Sequence, residues 1–205
     1  MSPGEKGLIA VVDAGGANLG SVCYALERLG ARLEVVTEAS ALERAERVIL
    51  PGVGASPHAM QRLRRQSLIE PLRKLRKPLM GICLGMQLLY EHSEEGAVEC
   101  LGLIPGVVRH MRAGTGLRIP HMGWNQLLAM RESPLLDGIA DHSNVYFVHG
   151  YSAPVTPDTV AACNYGGLFT AVVQRGLYCG AQFHPERSSA AGARILRNFL
   201  EMDFS

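Results

Sequence analysis

A chain of 205 residues with 47% apolar and 19% charged side chains is long enough to bury a full core, and one domain spanning residues 1–205 is expected. A net charge of +1 with no basic stripe excludes an electrostatic nucleic-acid binder. No apolar run reaches the length of a bilayer span, and Glu5 and Lys6 ahead of one short apolar run do not make a secretory leader, so no membrane is expected. The cysteines (Cys23, Cys83, Cys100, Cys163, Cys179) are odd in number and lack Cys-x-x-Cys pairing. That argues against a disulfide framework and a zinc site, and fits a reducing cytoplasm. No cofactor or metal is expected.

The first element is the continuous apolar run from Gly7 to Asp13, the mark of a strand buried on both faces. The small residues Ala14-Gly15-Gly16-Ala17 turn the chain into a helix with Asn18 as its expected cap and Val22, Ala25, Leu26 and Leu29 as its stripe; Gly30 ends it. Leu33–Val36 and Val48–Leu50 read as the next strands, with helical cover from Met60, Leu63, Leu68, Ile69, Leu72 and Leu75. Pro78 opens the strand that leads to Cys83, and Met86–Tyr90 reads as the helix beyond it. This alternation predicts an α/β fold: an open, mostly parallel sheet with helices on both faces, in flavodoxin-like layering. After about Gly96 the pattern changes to short strands (Val107–Val108, Val145–Val148, Val160–Cys163, Thr170–Val173, Tyr178–Phe183), expected as antiparallel additions and the far side of the same sheet. A last helix begins near Ser188 or Ser189 and carries Ile195, Leu196, Phe199 and Leu200 on one face.

Three stretches carry chemistry. Gly81-Ile82-Cys83-Leu84-Gly85 places a cysteine at the apex of a strand–turn–helix, with glycine two places either side where a Cβ would collide with neighbouring backbone. The turn leaves the Leu84 N–H to an oxyanion, and the competing reading is a buried structural cysteine. Phe183-His184-Pro185-Glu186 sets a histidine and a carboxylate two apart in a proline-restrained, extended segment, so Glu186 orients one ring nitrogen and frees the other. Pro51-Gly52-Val53-Gly54 after a buried strand offers backbone N–H groups to a substrate oxygen, although taken alone it reads as a plain strand-ending turn.

Together these three stretches resemble the class I (triad) glutamine amidotransferases, in the family's order and from end to end. The resemblance implies Cys83 as nucleophile, His184 as base and acid, and Glu186 as its partner. It implies an oxyanion hole from Gly52, Val53 and Leu84, and a glutamine site from Gln87, Gly54, His149, Gly150 and Tyr151. Pro120-His121-Met122-Gly123-Trp124-Asn125, with Tyr146-Phe147-Val148-His149 and Ser93-Glu94-Glu95, is similar to the glutaminase subunits of imidazole glycerol phosphate synthase. That likeness implies a heterodimer with a (β/α)8-barrel cyclase subunit that receives ammonia from L-glutamine. Pro120, His121, Met122, Gly123, Trp124, Asn125, Tyr146 and Arg187 are its implied interface; a lone tryptophan among polar residues suits an interface anchor, although without the likeness Trp124 reads as a core residue.

Departures from the pattern fall at Asp13–Asn18, at Gly150 (often serine) and at Arg187 (often lysine). Val53 stands where most relatives carry glycine, and a β-branched residue resists positive φ. If the Gly52–Val53 peptide has to flip to aim its N–H at substrate, the isolated chain is expected to be nearly silent. A free-standing cysteine hydrolase would need no partner, and a non-catalytic module would need a broken triad.

Overall fold

The computed structural model describes residues 7–112 and 116–204; Glu5 and Lys6 lie outside them. The first half alternates as expected: β1 (Leu8–Val12), α1 (Leu19–Arg28), β2 (Arg32–Val36), α2 (Ala39–Arg44), β3 (Arg47–Gly52), α3 (Ser56–Arg65), α4 (Ile69–Arg73), β4 (Leu79–Cys83) and α5 (Leu84–Gln87). The second half runs β5 (His92–Ser93), β6 (Val98–Glu99), β7 (Val107–His110), β8 (His121–Gln126), β9 (Leu128–Ala129), β10 (Asn144–His149), β11 (Tyr151–Ser152), β12 (Thr159–Asn164), β13 (Leu168–Arg175), β14 (Tyr178–Ala181) and α6 (Ser189–Glu201).

The main sheet has eight strands in the order β2-β1-β3-β4-β14-β13-β12-β9. The run from β2 to β14 is parallel, and β13, β12 and β9 extend it antiparallel. Its side chains alternate between two cores, as strand periodicity requires. Ile9, Val11, Ile49, Met80 and Ile82 pack with Val22 and Leu26 of α1 and Ile195 and Phe199 of α6. Ala10, Val12, Val48, Leu50 and Leu79 pack with Leu42 of α2, Leu63 of α3 and Leu72 of α4. Helices therefore cover both faces. β4, buried along its whole length between β3 and β14, carries Cys83 at its carboxyl end.

Two expectations need correction. Val107–Val108 and Val145–Val148 do not join the main sheet: β7 belongs to a four-stranded sheet β11-β7-β5-β6, and β10 pairs only with β8 in a two-stranded ribbon. In β10 Val145, Phe147 and His149 are buried while Asn144, Tyr146 and Val148 are not, so the ribbon rests one face on the core and leaves the other outward. The elbow helix also stops at Gln87 instead of running to Tyr90. Leu88, Leu89 and Tyr90 are all fully buried, and their carbonyls accept hydrogen bonds from the amides of Leu101, Gly102, Leu103 and Ile104. A segment packed on every side has no amphipathic stripe to sustain a surface helix.

Candidate active site

The ends of β3 and β4 build the centre of the site. Cys83 holds φ 52° and ψ −110°, a backbone that a side-chain-bearing residue keeps only when its surroundings enforce it. The enforcement is visible on both sides. A Cβ on Gly81 would stand 2.5 Å from the Gly85 carbonyl oxygen, and one on Gly85 would stand 1.7 Å from the Leu50 carbonyl oxygen. The register Gly52↔Cys83 brings the Gly52–Val53 peptide beside Leu84, the first residue of α5, so the expected oxyanion donors share one corner. Val53 is not among the non-glycine residues with positive φ, whereas Gly54 takes +98°. The Asp13–Asn18 turn packs onto this loop, since a Cβ on Gly16 would come within 2.6 Å of Val53 Cγ2.

His184 follows β14 and is 4% exposed. Its Nδ1 lies 2.9 Å from Glu186 Oε1. The contact forms across a 3-10 turn, Pro185–Arg187, not the extended segment expected from the sequence; only His184 keeps extended backbone. Burial pulls the imidazole down, but hydrogen bonds to Cys83 and to Glu186 outweigh it and lift His184 to about 10. Burial pushes the Glu186 carboxyl up, and the His184 and Asn18 hydrogen bonds outweigh that and hold it below its ordinary value. Cys83 thus sits beside a cationic ring that a buried carboxylate orients. Burial instead lifts the thiols of Cys100, Cys163 and Cys179 to about 12, marking them as packing residues.

Asn18 was expected as a helix cap, yet its side chain caps nothing. Its Nδ2 donates to Glu186 Oε1 at 2.7 Å and lies 3.3 Å from His184 Nδ1. The sequence held no signal for this reach across 168 positions. Ser188 was missed as well: its hydroxyl donates to the His184 carbonyl at 2.7 Å and accepts from Tyr146 N at 2.9 Å, while His184 N donates to the Tyr146 carbonyl at 2.9 Å. His184 is thereby stitched to β10.

A cleft of about 270 Å³ opens beside the sulfur, lined by Val53, Gly54, Cys83, Leu84, Gln87, Glu95, Pro120, Val148, His149, Gly150, Tyr151 and His184. Every expected glutamine-site residue is on that wall. A larger hollow of about 670 Å³ around Ala129–Ile139 carries no comparable chemistry. Gln87 is 4% exposed, and its amide nitrogen donates to the Tyr151 carbonyl at 2.9 Å and to Gln182 Oε1 at 3.0 Å. Glu95, whose carboxylate also accepts from Ser56 N at 2.7 Å, was not among the expected glutamine contacts.

The expected interface residues divide. Met122 and Trp124 are 64% and 53% exposed on β8, with Gly123 at φ +131° between them. Trp124 meets Tyr146 edge to face at 5.8 Å, and the Arg187 guanidinium lies over the same ring at 5.7 Å. Pro120, after a cis bond from Ile119, is exposed and edges the cleft. Asn125 is half-buried. His121 departs from its expected place on the surface: it is 2% exposed, stacked on Phe147 at 4.8 Å and on Tyr165 at 3.9 Å. Alternation along β8 turns it inward while Met122 turns outward.

The fold and this site define a class: the chain matches the family model described as "Glutamine amidotransferase class-I" over residues 10–202, and it belongs to that family. Solved structures agree on the fold, among them PurLQS from Thermotoga maritima (TM-score 0.74, 23% identity, 96% of this chain and 98% of that one). A second, described as a glutamine amidotransferase, gives TM-score 0.74 at 22% identity over 95% of this chain and 98% of that one. Within the class the chain belongs with the subunits named "Imidazole glycerol phosphate synthase subunit HisH". It is 71% identical over 196 residues to that of Xanthomonas euvesicatoria pv. vesicatoria (96% of this chain, 98% of the relative). It is 64% identical over 195 residues to that of Xylella fastidiosa strain Temecula1 (95% and 98%).

Proposed function

We propose that the chain hydrolyses L-glutamine to glutamate and ammonia and delivers the ammonia to a cyclase subunit in histidine biosynthesis. The observation that carries this reading is Cys83 on its strained elbow, beside a His184 ring held by Glu186 at 2.9 Å. The Cys83 thiolate attacks the side-chain amide carbon of glutamine. The tetrahedral oxyanion is met by the Leu84 N–H and by one from the Gly52–Val53 peptide. His184 gives its proton to the departing nitrogen as the C–N bond breaks, leaving a thioester on Cys83 and neutral ammonia. It then takes a proton from water, whose oxygen attacks the thioester carbon; the C–S bond breaks and glutamate leaves. Gln87, Gly54, His149, Gly150 and Tyr151 cradle the substrate, and the Glu95 carboxylate faces its α-ammonium.

Ammonia released into water would become ammonium and lose its nucleophilicity, so transfer has to occur inside a complex. The relatives' designation as synthase subunits supports a heterodimer, here with a (β/α)8-barrel cyclase that forms imidazole glycerol phosphate and aminoimidazole carboxamide ribonucleotide. Pro120, Met122, Gly123, Trp124, Asn125, Tyr146 and Arg187 would face it. Among the described residues no helix is long and apolar enough to cross a membrane, and the reading places the complex in the cytoplasm. Incubation of the complex with a γ-electrophilic glutamine analogue tests the chemistry. One adduct is expected on the peptide carrying Cys83, none in Cys83→Ala, and an adduct elsewhere would overturn the assignment.

A further inference from the structure

His121 and His149 are 2% and 6% exposed and belong to neither the triad nor an exposed surface. Their rings lie edge to face at 5.2 Å, with His121 Nδ1 3.2 Å from His149 Nε2. His149 Nδ1 lies 2.8 Å from the Tyr151 carbonyl oxygen, which can only accept, so that nitrogen bears the proton. Burial, the largest influence, brings His149 to about 3 and His121 to about 4, so both rings are neutral near pH 7. A neutral His149 leaves Nε2 bare, and the nitrogen facing it, His121 Nδ1, must donate. His121 Nε2 is then bare in turn, and Asn125 Nδ2 stands 3.4 Å from it while also donating to the Asn164 carbonyl at 3.0 Å.

The directions agree at every link. Donation runs one way, from Asn125 on the outward ribbon through His121 and His149 to Tyr151. The Tyr151 carbonyl is the same atom that accepts the Gln87 amide at 2.9 Å. Gln87 in turn donates to Gln182 at 3.0 Å, and the Gln182 amide lies 4.0 Å from the Cys83 sulfur. The ribbon strand that bears Met122 and Trp124 is thus joined, without a gap in partners, to the wall of the cleft.

We propose that the buried His121–His149 pair is a one-way hydrogen-bond chain of positioning residues that fixes the Tyr151 carbonyl, and through it the Gln87 side chain, for glutamine binding. The proposal rests on the glutaminase reading and adds to it His121, away from the cleft wall, and a link through His149 from the wall back to the ribbon. A misdirected proton anywhere along the chain would leave a buried nitrogen facing another like itself, so the geometry specifies a single arrangement.

Glutamate release is measured at varied glutamine in the complex of this chain with the cyclase subunit and its nucleotide ligand. His121→Phe, at the ring of the pair that does not line the cleft, keeps the ring volume and removes both hydrogen bonds; it is expected to raise KM for glutamine about tenfold and to change kcat less than about threefold. His121→Asn, whose amide nitrogen can take the place of Nδ1, is expected to return KM to within about threefold of wild type. An unchanged KM in His121→Phe, or no rescue in His121→Asn, overturns the positioning role. A silent wild-type complex overturns the glutaminase reading instead. The ¹⁵N spectrum of the histidine-labelled wild-type chain reads the chain of protons directly, whether or not a variant folds. Two neutral rings protonated on Nδ1 are expected, and an Nε2 proton on either one overturns the proposal.

Discussion

Replacing Gly85 with alanine tests the elbow without reference to any partner. The new Cβ would stand 1.7 Å from the Leu50 carbonyl oxygen, while real Cβ atoms essentially never come within 3.0 Å of such an atom. Backbone therefore has to move by more than an ångström. The atom in the way belongs to β3, whose Leu50, Pro51 and Gly52 are in register with Gly81, Ile82 and Cys83 of β4. No flexible side chain can yield in its place. Overpacking a tight core costs about 1–3 kcal/mol, and a clash with strand backbone belongs at or above the upper end, about 3 kcal/mol. In a chain of this size each kcal/mol moves Tm by about 2–4 °C, so Gly85→Ala should lose about 6–12 °C. The assay is thermal unfolding of the purified chain, with Gly20→Ala as control. Gly20 sits inside α1 with open space where a Cβ would go, and alanine there should hold Tm or raise it by about 0.5–1 kcal/mol of stability. A Gly85→Ala variant melting within about 2 °C of wild type would show that Cys83 does not depend on this close approach.

Three further outcomes are expected. Asn18→Ala removes a hydrogen bond to a buried carboxylate, which is worth about 1.5–3 kcal/mol, so kcat for glutamate release in the complex should fall about 10- to 150-fold; an unchanged kcat would make Asn18 a bystander. Val53→Gly removes the β-branched resistance to positive φ, about 1–2 kcal/mol, and should raise basal glutamate release by the isolated chain about 5- to 30-fold; an unchanged basal rate would remove the steric gate. The raised value of His184 makes its contribution to stability fully present below about pH 6.5 and lost as pH climbs towards about 10. The lowered Glu186 contributes above its ordinary range and is lost as acid protonates it. The stability gap between wild type and His184→Gln in denaturant titrations should therefore shrink from pH 6.5 to pH 10, and a gap that widens would contradict the pairing.

The α/β half was legible because its signals are local. Continuous apolar runs gave β1, β3 and β4, the stripes gave α1 and the cover after β3, and glycine at 81 and 85 gave the elbow. The second half was harder for the same reason. Val145–Val148 has the composition of a sheet strand, but only its tertiary setting makes it one side of a two-stranded ribbon. Cys83, His184 and Glu186, which the structure gathers at one cleft, could be singled out as candidates because an elbow and a His-Pro-Glu segment each carry their signal within a few positions. Asn18 was read by its local role as a cap, while its actual role depends on α1 packing beside the turn after β14. His121 was misplaced because a motif shared with interface residues does not say which side of the strand each one faces. Alternation along β8 does, once one residue is anchored.

The most direct measurement is glutamate release from L-glutamine by the purified chain, alone and with the cyclase subunit and its nucleotide ligand, with Cys83→Ala as the blank. Near-silence alone, strong turnover in the complex and none in the blank is the predicted result. Full turnover by the isolated chain would keep the Cys83–His184–Glu186 chemistry but contradict the Val53 gate, and turnover that survives in Cys83→Ala would contradict nucleophilic attack by Cys83.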